Sequence, residues 1–140
     1  ANNIQGHEAL AIAFGQALQM TNILKDSPED EARGVSWKPA NMSQAALLKI
    51  AYQKLQDSMS YILLIPKEDA GIRRFCFLAF GLAVMTLSKI AMRERFDHKD
   101  EVKLSRKNVM AFYAFTKFAV RSDTLMNAFF HISSQAFRKH

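Results

Sequence analysis

The 140 residues contain one cysteine, three prolines, five glycines and one tryptophan. The lone Cys76 excludes an internal disulfide and suits a reducing compartment, so a cytoplasmic location is the expectation. So few glycines and prolines exclude a loop-rich fold, and no alternating apolar–polar run or Asn-Gly turn marks a hairpin. There is no Gly-rich phosphate loop, no G-x-S-x-G and no paired His/Cys nucleophile site. His7, His98, His131 and His140 lie far apart, show no metal-ligand spacing and read as structural or surface groups. Neither zinc-finger spacing nor a basic helix with interleaved aromatics is apparent, so nucleic acid is not expected as a partner. The uncharged run from Phe75 to Leu87 is too short to span a bilayer, and no signal peptide is visible.

What is present is apolar and helical. Hydrophobic residues make up 49% of the chain, with eleven Phe, enough for a packed core in one domain or part of one. The spacing predicts an all-α fold of about five helices. A first helix runs from about His7 to Asp26, followed by a loop over Ser27–Asn41 marked by Pro28, Gly34 and Pro39. A second starts near Ser43 and ends before Pro66, with Leu47, Ile50, Ala51, Leu55 and Met59 at three- and four-residue steps. A third starts after Asp69, a suitable N-cap, and reaches about Phe96; the charged stretch Asp97 to Val102 reads as a loop. Ser105 caps a fourth helix with a Val109, Phe112, Phe115 and Phe118 stripe. Ser122-Asp123 opens a fifth, with Leu125, Phe129, Ile132 and Phe137 facing inward. Phe residues at such spacing usually form core, though an apolar helical interior can also be the wall of a ligand tunnel.

The charge is uneven. The net charge is +6, yet residues 1–34 set Lys25 and Arg33 against Glu8, Asp26, Glu29, Asp30 and Glu31, leaving −3 there and +9 on the remainder. An acidic patch beside a basic remainder fits a polyphosphate bridged by cations; an ordinary basic surface is the bland alternative. Within the acidic part, Gln19, Asn22, Asp26 and Asp30 follow at steps of three, four and four, which projects them onto one helix face. Two carboxylates one turn apart beside two amides suit a hard divalent cation such as Mg²⁺, which takes one or two carboxylates and fills its other sites with water or phosphate. Pro28 falls between the aspartates and would cost a helix interior about 3 kcal/mol. Ser27-Pro28-Glu29 also reads as an N-cap, Pro at N1 and an acidic first turn, so a kink or restart at Ser27 is expected.

The segment from Gly15 to Pro39 resembles the second Asp-rich motif of the squalene/phytoene synthase family, roughly G-x-A-L-Q-x-x-N-I-L-R-D-x-x-E-D-x-x-x-G-R-x-Y-x-P. Gly15, Ala17, Leu18, Gln19, Asn22, Ile23, Leu24, Asp26, Glu29, Asp30, Gly34 and Pro39 fit it. Three positions depart. Lys25 stands for an Arg and loses its bidentate fork, Val35 stands for an Arg with Arg33 two places earlier, and Trp37 stands for Tyr. A second stretch, Ile65 to Cys76, is similar to the region of squalene synthases where Arg-Phe-Cys opens a cavity-lining helix, continued by Ala83-Val84-Met85-Thr86-Leu87. A third, Val102-Lys103-Leu104-Ser105-Arg106-Lys107, is similar to the basic element associated there with the NADPH-dependent second step.

The resemblance implies a partial class I isoprenoid synthase helical bundle, with residues 1–140 as the C-terminal part of one such domain. Ala1-Asn2-Asn3 reads as an internal start, and the first Asp-rich motif is expected in a missing N-terminal half of the same fold, leaving this chain inactive alone. The implied activity is head-to-head condensation of two farnesyl diphosphates through presqualene diphosphate, then reduction to squalene, with Mg²⁺ and NADPH as cofactors. Asp26, Asp30, Gln19 and Asn22 are implied as catalytic, with Asp26, Asp30 and Asn22 on the metal. Lys25, Arg33, Phe75, Cys76 and Phe80 are implied on the substrate side, although Cys76 in its apolar run reads on its own as a buried inert thiol. Lys103 and Arg106 would face the cofactor phosphates. A water-insoluble product implies peripheral contact with a membrane. Two alternatives stay open: a phytoene- or dehydrosqualene-type synthase without NADPH, and a non-catalytic family member acting in assembly.

Overall fold

The computed structural model describes residues 4–32, 43–92 and 103–138, with side chains described over 8–26, 43–92 and 103–137. The described residues are helical, with no strand among them. The helices are α1 (Ile4–Ala32), α2 (Gln44–Leu64), α3 (Ala70–Ala91), α4 (Arg106–Ala119), α5 (Asp123–Ser133) and the short α6 (Gln135–Arg138).

Three helix starts follow from local chemistry. The hydroxyls of Ser43, Ser105 and Ser122 accept from the amides of Ala46 (3.1 Å), Asn108 (3.1 Å) and Leu125 (3.2 Å), each covering an orphan donor of a first turn. Asp69 occupies the N-cap position of α3, but its side chain makes no capping bond. Its own amide instead closes a turn onto the Pro66 carbonyl at 3.0 Å. α2 stops before that turn because Ile65, preceding a proline, is extended (φ −68°, ψ 125°).

Two boundaries differ from the sequence reading. α1 stays helical through Ala32 instead of ending near Asp26. Proline removes one rung of the backbone ladder, and the neighbouring rungs carry the helix across it. The expected fifth helix is divided at Ser134. The Ser88 hydroxyl of α3 donates to the Ser133 carbonyl, taking an acceptor that a continuing helix would use. α6 then turns Phe137 onto Tyr52, with ring centroids 6.0 Å apart.

α3 is the central element and touches α1, α2, α4, α5 and α6. By length and composition it could cross a membrane, contrary to the expectation from its uncharged run alone. Here it forms the core of the bundle, with Phe77, Phe80, Val84, Leu87 and Ile90 fully buried. An aromatic cluster fills the space toward α4 and α5: Phe112 meets Phe129 at 4.8 Å, Phe80 meets Phe130 at 5.2 Å and Phe77 meets Phe112 at 5.5 Å. Gly81 lets this happen, since a Cβ there would overlap the Phe112 ring.

The inward faces of α4 and α5 are shifted from the expected ones. Phe112 is buried, but Phe118 is 71% exposed. On α5 the buried residues are Met126 and Phe130, while Leu125 and Ile132 lie on the surface. α4 also exposes Tyr113 and Phe118 among Arg106, Lys107 and Lys117, so a basic helix with interleaved aromatics does exist.

One charged side chain is built into the core. Arg73 is almost fully buried, and its guanidinium donates to the carbonyls of Val120 (2.6 Å) and Ile62 (3.4 Å) and to the Asp123 carboxylate. It therefore joins the end of α2, the end of α4 and the start of α5 to α3. Its neighbour Arg74 donates to the Thr116 hydroxyl (2.9 Å) and the Tyr113 carbonyl (3.1 Å) and lies 4.3 Å over the Tyr113 ring.

Candidate functional site

The second half of α1 and the middle of α3 form an open cleft of about 250 Å³. Its α1 wall is Leu18, Thr21, Asn22 and Lys25; its α3 wall is Ala79, Leu82, Ala83 and Thr86. The small alanines leave the space, because α3 presents only a methyl group at each of them. The two threonines are locally satisfied: Thr21 donates to the Ala17 carbonyl and Thr86 to the Leu82 carbonyl, each at 2.8 Å. The cleft therefore has one wall with an amide and an ammonium, and an opposite wall that is apolar.

Asp26 stands next to Lys25 and one turn beyond Asn22 on α1. Its Oδ1 is buried and has no hydrogen-bond partner among the described residues. A carboxylate oxygen withdrawn from water without a donor costs folding free energy, so an absent ligand is a physical explanation for it. A divalent cation fits this donor set: the oxygen is hard, the adjacent Asn22 amide is exposed, and one or two carboxylates suffice for Mg²⁺ when phosphate supplies the rest. No group of three or more His, Cys, Asp or Glu that could hold a metal occurs among the described residues. Asp30 lies on α1 one turn beyond Asp26, but its side chain and all of Arg33 fall outside the described residues. Gln19 is exposed on α1 and does not line the cleft.

The remaining candidates divide. Phe75 is 72% exposed, yet it lies on the α3 row that continues as Ala79, Leu82 and Thr86, at steps of four, three and four. It extends the apolar wall beyond the cleft instead of closing it. Phe80 points the other way and is fully buried, stacked with Phe77 and edge-on to Phe130. Cys76 is half-buried, and burial pushes its thiol pKa up, in keeping with an unreactive thiol. Lys103 and Arg106 share a second open cleft of about 530 Å³ with Leu104, Ser105, Val109 and Met110. The Lys103 carbonyl there accepts from the Lys89 ammonium at 2.9 Å, which ties the approach to α4 onto α3.

Sequence reasoning missed Thr21, Ala79 and Ala83. The only signal was the pair of alanines four apart on an otherwise bulky helix. No curated protein and no solved structure matches the chain. One family model does, and the match places residues 2–51, which carry α1 with its row of amides and carboxylates and the start of α2, with the squalene/phytoene synthase family.

Proposed function

We propose that the chain is the C-terminal part of a synthase that condenses two farnesyl diphosphates head to head, through presqualene diphosphate, and reduces the product to squalene with NADPH. The observation that carries the proposal is the buried, unpartnered Asp26 Oδ1 beside Asn22 and Lys25, on the segment matching the squalene/phytoene synthase family. A divalent cation held by Asp26, Asp30 and Asn22 would supply the charge that stabilises a departing diphosphate. Lys25 adds a positive charge from the same wall, Gln19 orients oxygens at its rim, and Arg33 reaches the diphosphate from beyond α1. Ala79, Leu82 and Phe75 line the path of the prenyl chain and exclude water from an allylic cation, which water would quench. Cys76 and Phe80 act behind that wall, the latter as its support.

The opposing carboxylates come from another segment of the same fold, packed over the open side of α1 and α3. The exposure of Phe75 supports this, since an apolar wall needs a cover. Lys103 and Arg106, together in one cleft, would pair with the cofactor phosphates. Reaction in the cytoplasm suits the free thiol.

The test is product analysis. The full-length gene product is supplied with farnesyl diphosphate and Mg²⁺, with and without NADPH, and the extracts are read by mass spectrometry. Squalene formed only with NADPH is the expected result. A C30 product independent of NADPH would make it a dehydrosqualene-type synthase, and a folded protein giving no product would make it a non-catalytic relative.

A further inference from the structure

From the surface of α4 we infer that this helix docks on a membrane carrying anionic lipid. The exposed side of α4 is built from two adjacent rows. Arg106, Met110, Tyr113 and Lys117 follow at steps of four, three and four, and Lys107, Ala114, Phe118 and Arg121 at steps of seven, four and three. All eight are exposed, and Met110 and Phe118 are 60% and 71% accessible.

The charge on this face has one sign. No acidic residue occurs between Lys103 and Ser122, and the acid that follows, Asp123, is engaged by Arg73. The opposite side of α4 holds Phe112, Thr116 and Ala119 in the core, so the helix is already anchored and its outer face is presented rigidly. Cations alternating with large apolar side chains match the boundary of an anionic leaflet. Lys and Arg stems lie along the acyl boundary with their charges at the phosphates, while Met110 and Phe118 enter between the chains. A protein partner would have to bring several acids and a matching apolar groove. A nucleic acid would meet the cations but leave Met110 and Phe118 against water. The inference does not depend on the prenyl-transfer reading.

Vesicle co-sedimentation tests it with the 140-residue chain at physiological salt, using phosphatidylcholine vesicles with and without phosphatidylglycerol. Binding is expected only with phosphatidylglycerol. The double change Lys117→Gln and Arg121→Gln is expected to weaken it roughly thirtyfold, from the loss of two surface cations. Phe118→Ser is expected to weaken it roughly tenfold, from the loss of one inserted ring. These residues are exposed, so the variants fold, and far-ultraviolet circular dichroism checks that they do. Equal binding to neutral vesicles, or anionic binding unchanged in both variants, overturns the inference. So does retention on single-stranded RNA with none on vesicles, or self-association abolished by Phe118→Ser with no lipid binding.

Discussion

The two sides of α3 handle buried charge in opposite ways. Toward α4 and α5, Arg73 is withdrawn from water, and its guanidinium is met by the Val120 and Ile62 carbonyls and the Asp123 carboxylate. Toward α1, Asp26 has a buried carboxylate oxygen that the described protein leaves unmet. The apolar residues repeat the contrast: Phe80 is enclosed by rings on the closed side, while Phe75 stands exposed along the row that lines the open cleft. A polar group satisfied in place holds the fold together. One left unsatisfied costs stability and is kept where a ligand will complete it.

That contrast can be tested by substitution, and the largest effect belongs to the phenylalanines. Phe80→Ala opens a cavity in the aromatic cluster and should cost about 3–5 kcal/mol in urea denaturation, whereas Phe75→Ala should change stability by no more than about 0.5 kcal/mol. Equal costs would remove the distinction between the two sides. Arg73→Met keeps most of the volume but leaves the Ile62 and Val120 carbonyls without their donor, a loss of about 3 kcal/mol in the same assay. Gly81→Ala drives a methyl group into Phe112, which is hemmed in by Phe77, Phe115 and Phe129; thermal melting should report a loss of about 1–3 kcal/mol. The smallest change has the opposite sign. Asp26→Asn replaces a desolvated charge with a neutral amide and should raise stability by up to about 1 kcal/mol.

The helices were largely legible because their signals are local. Ser43, Ser105 and Ser122 sit where apolar periodicity begins, and each caps as expected. What was not legible depends on distant partners. The break at Ser134 needs the Ser88 hydroxyl, 45 residues away along the chain. The inward face of α5 was misread by one residue, Leu125 for Met126, and a single residue turns a helix position by about 100°. At the site, the spacing of Asn22 and Asp26 could be read directly, since both lie on one helix. Thr21, Ala79 and Ala83 could not, since they matter only where α1 crosses α3. Arg73 was visible as part of an Arg-Arg-Phe-Cys string, but its structural role rests on the Val120 carbonyl, 47 residues away.

The central claim is that Asp26 serves a departing diphosphate and not the fold. The direct measurement is the initial rate of diphosphate release from farnesyl diphosphate with Mg²⁺, for the full-length protein and its Asp26→Asn variant. The account predicts a loss of about a hundredfold or more, with a melting temperature that does not fall. An unchanged rate, or a variant inactive only because it unfolds, would contradict it.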